Sequence, residues 1–345
     1  MNQVSIIIDG VSVSLDAGAT LLDAADAAGI YVPRLCAHPS LGTRGHCGIC
    51  AVEVDGSGIV RACETPAREG GRVSTGTAGV QRARAEALNR FLAIHPHVCL
   101  TCDLRDGCSR SQCSFNLQID ERCCEKFGSC EFQKVACFVG IRADAPTYVP
   151  RGLPKADEGL YGRNLNLCIG CLRCRDACRD LAEADAVGEV AFGELALVGP
   201  AHGTTMEDAG CVYCAACVHV CPTGALMAKK DQTAKSWLEQ TQSELGLAMA
   251  PAPPRPTLSL NAATVAQVPS TEGVYQLLDV SGAVLKIRGV INLKDGLLEE
   301  LQAGKADSFT YEEDPLYTLR ETQLIRQYLS QHGKMPWGDE LDALF

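Results

Sequence analysis

The stretch that decides the fold reads Cys168-Ile-Gly-Cys171-Leu-Arg-Cys174-Arg-Asp-Ala-Cys178, and its counterpart reads Cys211-Val-Tyr-Cys214-Ala-Ala-Cys217-Val-His-Val-Cys221-Pro222. Three close cysteines and one remote cysteine suit iron: the three wrap one 4Fe-4S cube, and the fourth is carried by its own helix to the neighbouring cube. The spacing predicts crossed ligand sets, with Cys168, Cys171, Cys174 and Cys221 on one cube and Cys211, Cys214, Cys217 and Cys178 on the other. Proline after the crossing ligand fixes the closing turn. Between the motifs, residues 188–197 alternate as a small hairpin does. Zinc on the same thiols is the competing reading.

At the amino terminus, alternating strands Val4–Ile8 and Val11–Leu15 flank Asp9-Gly10, a favoured tight turn. Thr20 then caps a short helical run, Leu21–Ala28, ended by Gly29. Cys36, Cys47, Cys50 and Cys63 follow, with Gly42, Gly45 and Gly48 letting the loop turn its amides toward sulfur. Hairpin, helix and cysteine loop in this order resemble a β-grasp ferredoxin holding a 2Fe-2S cluster. The ten residues between Cys36 and Cys47 depart from the plant-type interval of four. They are similar instead to the 2Fe-2S domain of the iron-sulfur subunit in the electron-input arm of respiratory complex I, and of related soluble hydrogenases and formate dehydrogenases.

A helix over about Gly79–Ile94 leads to His95-Pro-His97-Val-Cys99-Leu-Thr-Cys102 and Cys108. This His-x3-Cys-x2-Cys-x5-Cys run again resembles the complex I subunit, which implies a 4Fe-4S cluster with histidine in place of one cysteine. Neutral imidazole would remove one negative charge and raise the potential; His97 is the rival donor. Beyond Cys108 the sequence departs from that family. Cys113, Cys123, Cys124, Cys130 and Cys137 follow, and Cys124-x3-Gly-x-Cys130-Glu-Phe-Gln echoes the end of the family motif downstream. His95, Cys99, Cys102 and Cys108 with Cys113, Cys123, Cys124 and Cys130 offer eight donors, enough for one cube or two, and their partition stays open. The expected complement is one 2Fe-2S and three or four 4Fe-4S clusters, five clusters in all being preferred because the echo is displaced rather than lost. Cys137, beside Ala136 and Phe138, reads as a packing residue.

Composition bounds the rest. The chain has 345 residues, 46% hydrophobic but only 5% aromatic, so several small cores partly organised by metal fit better than one large core. Twenty cysteines without a secretory pattern at residues 1–10 favour a reducing cytoplasm, where thiolates stay available. No run of about 18 apolar residues suggests a membrane span. A net charge of -11 makes nucleic acid a poor partner. No Gly-x-Gly-x-x-Gly follows a strand and no phosphate-loop motif occurs, so neither a flavin nor an NAD site is expected here.

Residues 140–160 carry Pro146, Pro150 and Pro154 and read as an extended connection, whereas Ser236–Leu247 could form a helix. From Met249 to Thr271 a Pro-rich and then polar stretch reads as an exposed linker. It leads to strands 273–279 and 283–288 and to helices 295–302 and 320–330. This tail resembles the GIY-YIG nuclease fold, with Tyr275 in the first signature, Asn292-Leu293 before the first helix, and Glu321 at the metal position. Lys286 replaces the second tyrosine and Gly296 the arginine, which implies a degenerate docking module; an unrelated small α/β cap is the alternative.

The expected class is α+β and multidomain: a 2Fe-2S domain (1–78), a His/Cys segment (79–155), a two-cluster domain (156–230), a helix and linker (231–270) and the tail (271–345). The resemblance over about 4–230 implies an electron-transfer subunit of an NAD(P)H-linked complex, possible bifurcation included, standing between a flavin- and NAD(P)-binding subunit like the complex I flavoprotein and a terminal reductase. An iron-sulfur nucleic-acid-processing protein and a zinc scaffold are the alternatives.

Overall fold

A computed structural model describes residues 3–43, 45–102, 113, 124, 126, 130–192, 195–254, 257–314, 317–332 and 335–336. The chain divides into two compact units, one running to Pro253 and one beginning at Pro254. Among the described residues, no helix is long and apolar enough to cross a membrane.

The first unit opens with the expected hairpin, β1 (Gln3–Ile8) and β2 (Val11–Asp16), paired antiparallel from Gln3–Asp16 to Ile8–Val11. Asp9 and Gly10 both adopt positive φ, 46° and 87°, as a turn matching strand twist requires. Thr20 caps α1 (Leu21–Ala27) through a reciprocal box with Asp23, which satisfies two otherwise orphaned donors. Strands β3 (Ala51–Val54), β4 (Gly58–Arg61) and β5 (Arg72–Ser74) complete a five-stranded sheet ordered β2-β1-β5-β3-β4. The β1–β5 pair is parallel, and α1 packs Leu21, Leu22, Ala24 and Ala25 into the core with Ile6, Ile8 and Val52.

Helix α2 (Ala78–Leu92) is capped by Thr77 and buries Val80, Leu88 and Leu92 at helical spacing. It leads to the short α3 (Val98–Thr101) and, further on, α4 (Glu131–Val139). Phe132, Val135 and Ala136 form the buried stripe of α4, which leaves Cys137 exposed. The expectation that Cys137 packs in a core is therefore corrected: the 3.6-residue period points Phe132, Val135 and Ala136 inward and leaves Cys137 and Phe138 outward.

Residues 155–157, expected as extended connection, form β6 (Lys155–Asp157) in a small antiparallel sheet with β7 (Tyr161–Asn164) and β10 (Leu226–Ala228), ordered β10-β7-β6. Between β7 and β10 in sequence lie α5 (Arg173–Asp180), the hairpin β8 (Val187–Phe192) and β9 (Leu195–Pro200), and α6 (Ala216–His219). Helix α7 (Gln232–Leu245), capped by Asp231, starts four residues before the expected position.

The second unit has its own four-stranded sheet, ordered β11-β14-β12-β13. Part of the expected linker belongs to it: β11 (Leu258–Ser259) pairs with the sheet, and α8 (Ala262–Ala266), capped by Asn261, contributes Val265 to the core. Strands β12 (Gly273–Leu278) and β13 (Val284–Val290), helix α9 (Leu293–Ala303), strand β14 (Ser308–Glu313) and helix α10 (Tyr317–His332) follow. Tyr275, Leu277, Leu293, Leu297 and Phe309 join Val265 in that core.

Candidate iron-sulfur sites

Cys36, Cys47, Cys50 and Cys63 are all buried and influence one another as a single group. A hydrogen bond with Cys36 pulls the Cys47 thiol down to about 7 against its burial, and the bond with Cys50 pulls Cys63 down likewise. The loop bends at Gly45 and Gly48, with φ of 64° and 71°. A Cβ at Gly45 would meet only the movable end of the Glu64 side chain, so it is the left-handed φ that calls for glycine there. Arg90 Nη2 donates to Cys47 O at 3.1 Å, and Ala62 N donates to Cys50 O at 3.0 Å, tying the loop to α2 and to the Cys63 turn. Cys36 and Cys50 are pushed up as donors in these two bonds, so each pair holds one thiol beside one poised as thiolate, and four buried sulfurs in two such pairs are a donor set suited to a 2Fe-2S cluster.

His95 is buried, and its Nδ1 donates to Pro96 O at 2.6 Å. That bond fixes the tautomer, leaving Nε2 as a bare acceptor; Nε2 is buried with no hydrogen-bond partner among the described residues. Burial pushes the imidazole down to about 4, so it is neutral near pH 7. An orphaned neutral nitrogen is what ligation by iron would use. His97, in contrast, turns its Nδ1 to His95 O at 3.1 Å.

Cys99 lies within α3 and Cys102 caps its end; both are half-buried, as are Cys113 and Cys124, whereas Cys130 is buried. Cys108 and Cys123 lie outside the described residues. Cys124 and Cys130 sit against the turn that follows Cys221. Lys126 Nζ donates to Cys221 O at 2.7 Å and Thr223 O at 3.1 Å, Phe132 N donates to Pro222 O at 2.9 Å, and Cys130 Sγ lies 3.6 Å from Pro222 O. Gly224 admits Cys124: an added Cβ would lie 3.0 Å from the Cys124 Sγ. Burial pushes Cys130 up to about 12, and Cys124 adds to the effect.

In the paired motifs each remote cysteine lies near close cysteines of the other motif. Burial raises Cys168 to about 11 and lifts Cys171 and Cys174 further, and Cys221 adds to all three. Cys178 is raised by burial and then by Cys214 and Cys211. Cys178, Cys211, Cys214 and Cys217 line one cavity, with Tyr161 and Met206 completing its wall. Backbone amides reach the sulfurs: Gly170 N lies 3.4 Å from Cys168 Sγ and Ala186 N 3.2 Å from Cys178 Sγ. Such donors stabilise thiolate over thiol. Each helix is entered through a left-handed residue, Leu172 at φ 62° and Ala215 at φ 61°, directly after the second cysteine of its motif. Among the described residues, no three His, Cys, Asp or Glu side chains converge as the ligands of a single ion do.

Residues 1–78 match the family model described as a 2Fe-2S iron-sulfur cluster binding domain, and residues 167–225 match the 4Fe-4S dicluster domain. Those two segments contain Cys36, Cys47, Cys50 and Cys63 and the paired motifs, respectively. The relatives agree: the chain is 31% identical over 234 residues to the NADP-reducing hydrogenase subunit HndD of Solidesulfovibrio fructosivorans, covering 66% of this chain and 36% of that one. It is 30% identical to the NADPH-Fe(3+) oxidoreductase subunit alpha of Geobacter sulfurreducens, covering 66% of this chain and 24% of that protein. The mitochondrial NADH-ubiquinone oxidoreductase 78 kDa subunit of Candida albicans is 29% identical, over 66% of this chain and 29% of its own length. The chain thus spans about a third or less of these relatives. A solved NAD+-reducing NiFe-hydrogenase superposes with a TM-score of 0.53 at 27% identity, covering 66% of this chain and 88% of that one. Residues 254–331 match a model described as a domain of unknown function.

Sequence reasoning missed several supporting groups. Thr223 donates to Leu167 O at 2.8 Å and accepts from Ala225 N at 3.2 Å, bracing the closing turn. Its only sequence signal is its position two residues after Cys221. In the second unit, Tyr275 is buried and donates to Glu300 at 2.7 Å, and Lys286 Nζ donates to the same oxygen at 2.7 Å. A Cβ at Gly296 would lie 3.1 Å from Tyr275 Cε1, so the ring occupies space an arginine at this position would need.

Proposed function

We propose that the chain is an iron-sulfur electron-transfer subunit of an NAD(P)H-linked oxidoreductase complex, carrying electrons between a flavin- and NAD(P)-binding subunit and a terminal reductase. The observation that carries this reading is the pairing of Cys178 with Cys211, Cys214 and Cys217 around one cavity, while Cys221 acts on Cys168, Cys171 and Cys174. Clusters at these positions, one 2Fe-2S and three or four 4Fe-4S, supply one-electron carriers. The chain's part is to hold them, exclude water and set their surroundings.

Cys36, Cys47, Cys50 and Cys63 hold the 2Fe-2S cluster in this reading, and the crossed sets hold two cubes. His95 joins Cys99, Cys102 and Cys108 on a further cube, supported by its orphaned Nε2. Cys113, Cys123, Cys124 and Cys130 serve the additional cube or exchange with that set. A continuous apolar cluster containing Cys36, Cys47, Cys130 and, at its margin, Cys99 and Cys171 supports close spacing of the carriers. The ligand set requires thiolates, which suits a reducing cytoplasm. The tail is assigned to docking within the complex; its acidic parent chain and the filled space at Gly296 speak against nucleic-acid cleavage.

Anaerobic reconstitution with iron and sulfide tests the carriers. About 14 irons correspond to four clusters and about 18 to five, taking each cube as four irons; a stoichiometric zinc protein with no reducible EPR signal would end the proposal. The reconstituted chain should accept electrons from dithionite but oxidise NADH only once a flavoprotein partner is added. Magnesium-dependent DNA or RNA cleavage abolished by Tyr275→Phe would overturn the docking assignment.

A further inference from the structure

Arg173 is the largest fully buried side chain among the described residues, and three protein groups accept hydrogen bonds from its guanidinium. Nη2 donates to Ala37 O at 2.6 Å, next to Cys36; Nη1 reaches Val220 O at 3.4 Å, next to Cys221. Both terminal nitrogens bond the Glu131 carboxylate, at 2.7 and 2.9 Å, next to Cys130. Arg173 itself lies between Cys171 and Cys174 in sequence, and its Nε is buried with no hydrogen-bond partner among the described residues. One guanidinium therefore touches the chain neighbours of ligand candidates in three cysteine blocks. The equivalent residue in the second motif is Ala216, also buried. The two halves share their spacing and their left-handed entry but not this cation.

We propose that Arg173 is a positioning and charge-balancing residue that locks the 2Fe-2S loop onto the first cube, held by Cys168, Cys171, Cys174 and Cys221, and makes that cube easier to reduce than its Ala216-bearing partner. The inference rests on the cluster assignment above. A fixed positive charge out of water acts on a neighbouring centre through a low dielectric, so it favours the form with one more electron. Glu131 holds the guanidinium in place and offsets part of its charge. No bond is made or broken: one electron arrives, and the buried cation stabilises it without a proton.

The test uses the full reconstituted chain, with iron, sulfide and EPR spectra first establishing that the clusters are present. If the wild-type chain holds no clusters, the cluster assignment fails and the Arg173 inference falls with it. EPR-monitored titration with dithionite then follows Arg173→Met, Arg173→Lys and Glu131→Gln, with a Cys211→Ala background identifying the second cube's signal. Arg173→Met should lower the first cube's midpoint by about a tenfold change in its oxidised-to-reduced ratio at fixed potential, about 59 mV for one electron. Glu131→Gln should move it the opposite way, and Arg173→Lys should recover most of the loss. The second cube should hold its value throughout. If Arg173→Met does not assemble, the sign of the Glu131→Gln shift decides. Unchanged midpoints, or equal shifts of both cubes, would overturn the proposal in favour of a purely structural arginine.

Discussion

The unit ending at Pro253 and the unit beginning at Pro254 build cores from the same aromatic-poor chain by different means. All twenty cysteines precede Pro222, and the three largest apolar clusters of the first unit each include several of them. The second unit's core contains none and relies on Val265, Tyr275, Leu277, Leu293, Leu297 and Phe309. In the first unit, short elements such as α6, of four residues, cannot be held by propensity or local hydrogen bonds alone. The second unit has six-residue strands and an eleven-residue helix that pack as an ordinary sheet-and-helix layer. The contrast teaches that metal can stand in for buried apolar area where the chain is kept short of secondary structure.

The largest effect expected from this difference follows iron removal. Chelation from the reconstituted chain should speed amide exchange across residues 165–187 and 206–226 at least a hundredfold, on the order of 3 kcal/mol of local opening, while β12, β13 and β14 keep their protection. Equal loss in both units, read by hydrogen-exchange mass spectrometry, would break the comparison. The converse substitution, Phe309→Ala at a fully buried site, should cost the second unit about 3–5 kcal/mol and leave cluster EPR spectra unchanged. Thr223→Ala strips Leu167 O of its donor, so denaturant titration of the first unit should show a loss of about 1–3 kcal/mol.

A smaller effect concerns pH in the metal-free chain. Burial holds His95 and His219 down at about 4, against 6.5 for free imidazole, so the folded form binds fewer protons than the unfolded form. Their stabilising contribution is complete above pH 6.5 and declines as pH falls toward about 4. Each histidine should weaken folding by roughly tenfold per pH unit within that window. A first unit whose denaturation midpoint is flat over this range would count against neutral buried imidazoles.

Local rules made part of this molecule legible in advance. Asp9-Gly10 fixed the hairpin and Thr20 the first helix because turn and cap chemistry act within a few residues. The cysteine spacings named the candidate ligands for the same reason. What stayed hidden depends on distant partners: β6 and β10 have three residues each and become strands only by pairing with β7. Likewise, Leu258 and Val265 look like polar linker until β14 and the core give them a place. Arg173 was inconspicuous in sequence, since nothing local reveals that Ala37 and Glu131 converge on it.

The left-handed residues Leu172 and Ala215 occupy matched positions. A non-glycine residue in this region costs on the order of 1–2 kcal/mol, and here the same cost recurs at the same offset in both motifs. Both motifs therefore store the same local strain where the cysteine loop turns into its helix, and neither relieves it with glycine. The energy that holds each bend has to come from the packing around it, so the two turns are places where the first unit spends stability on the direction of its chain.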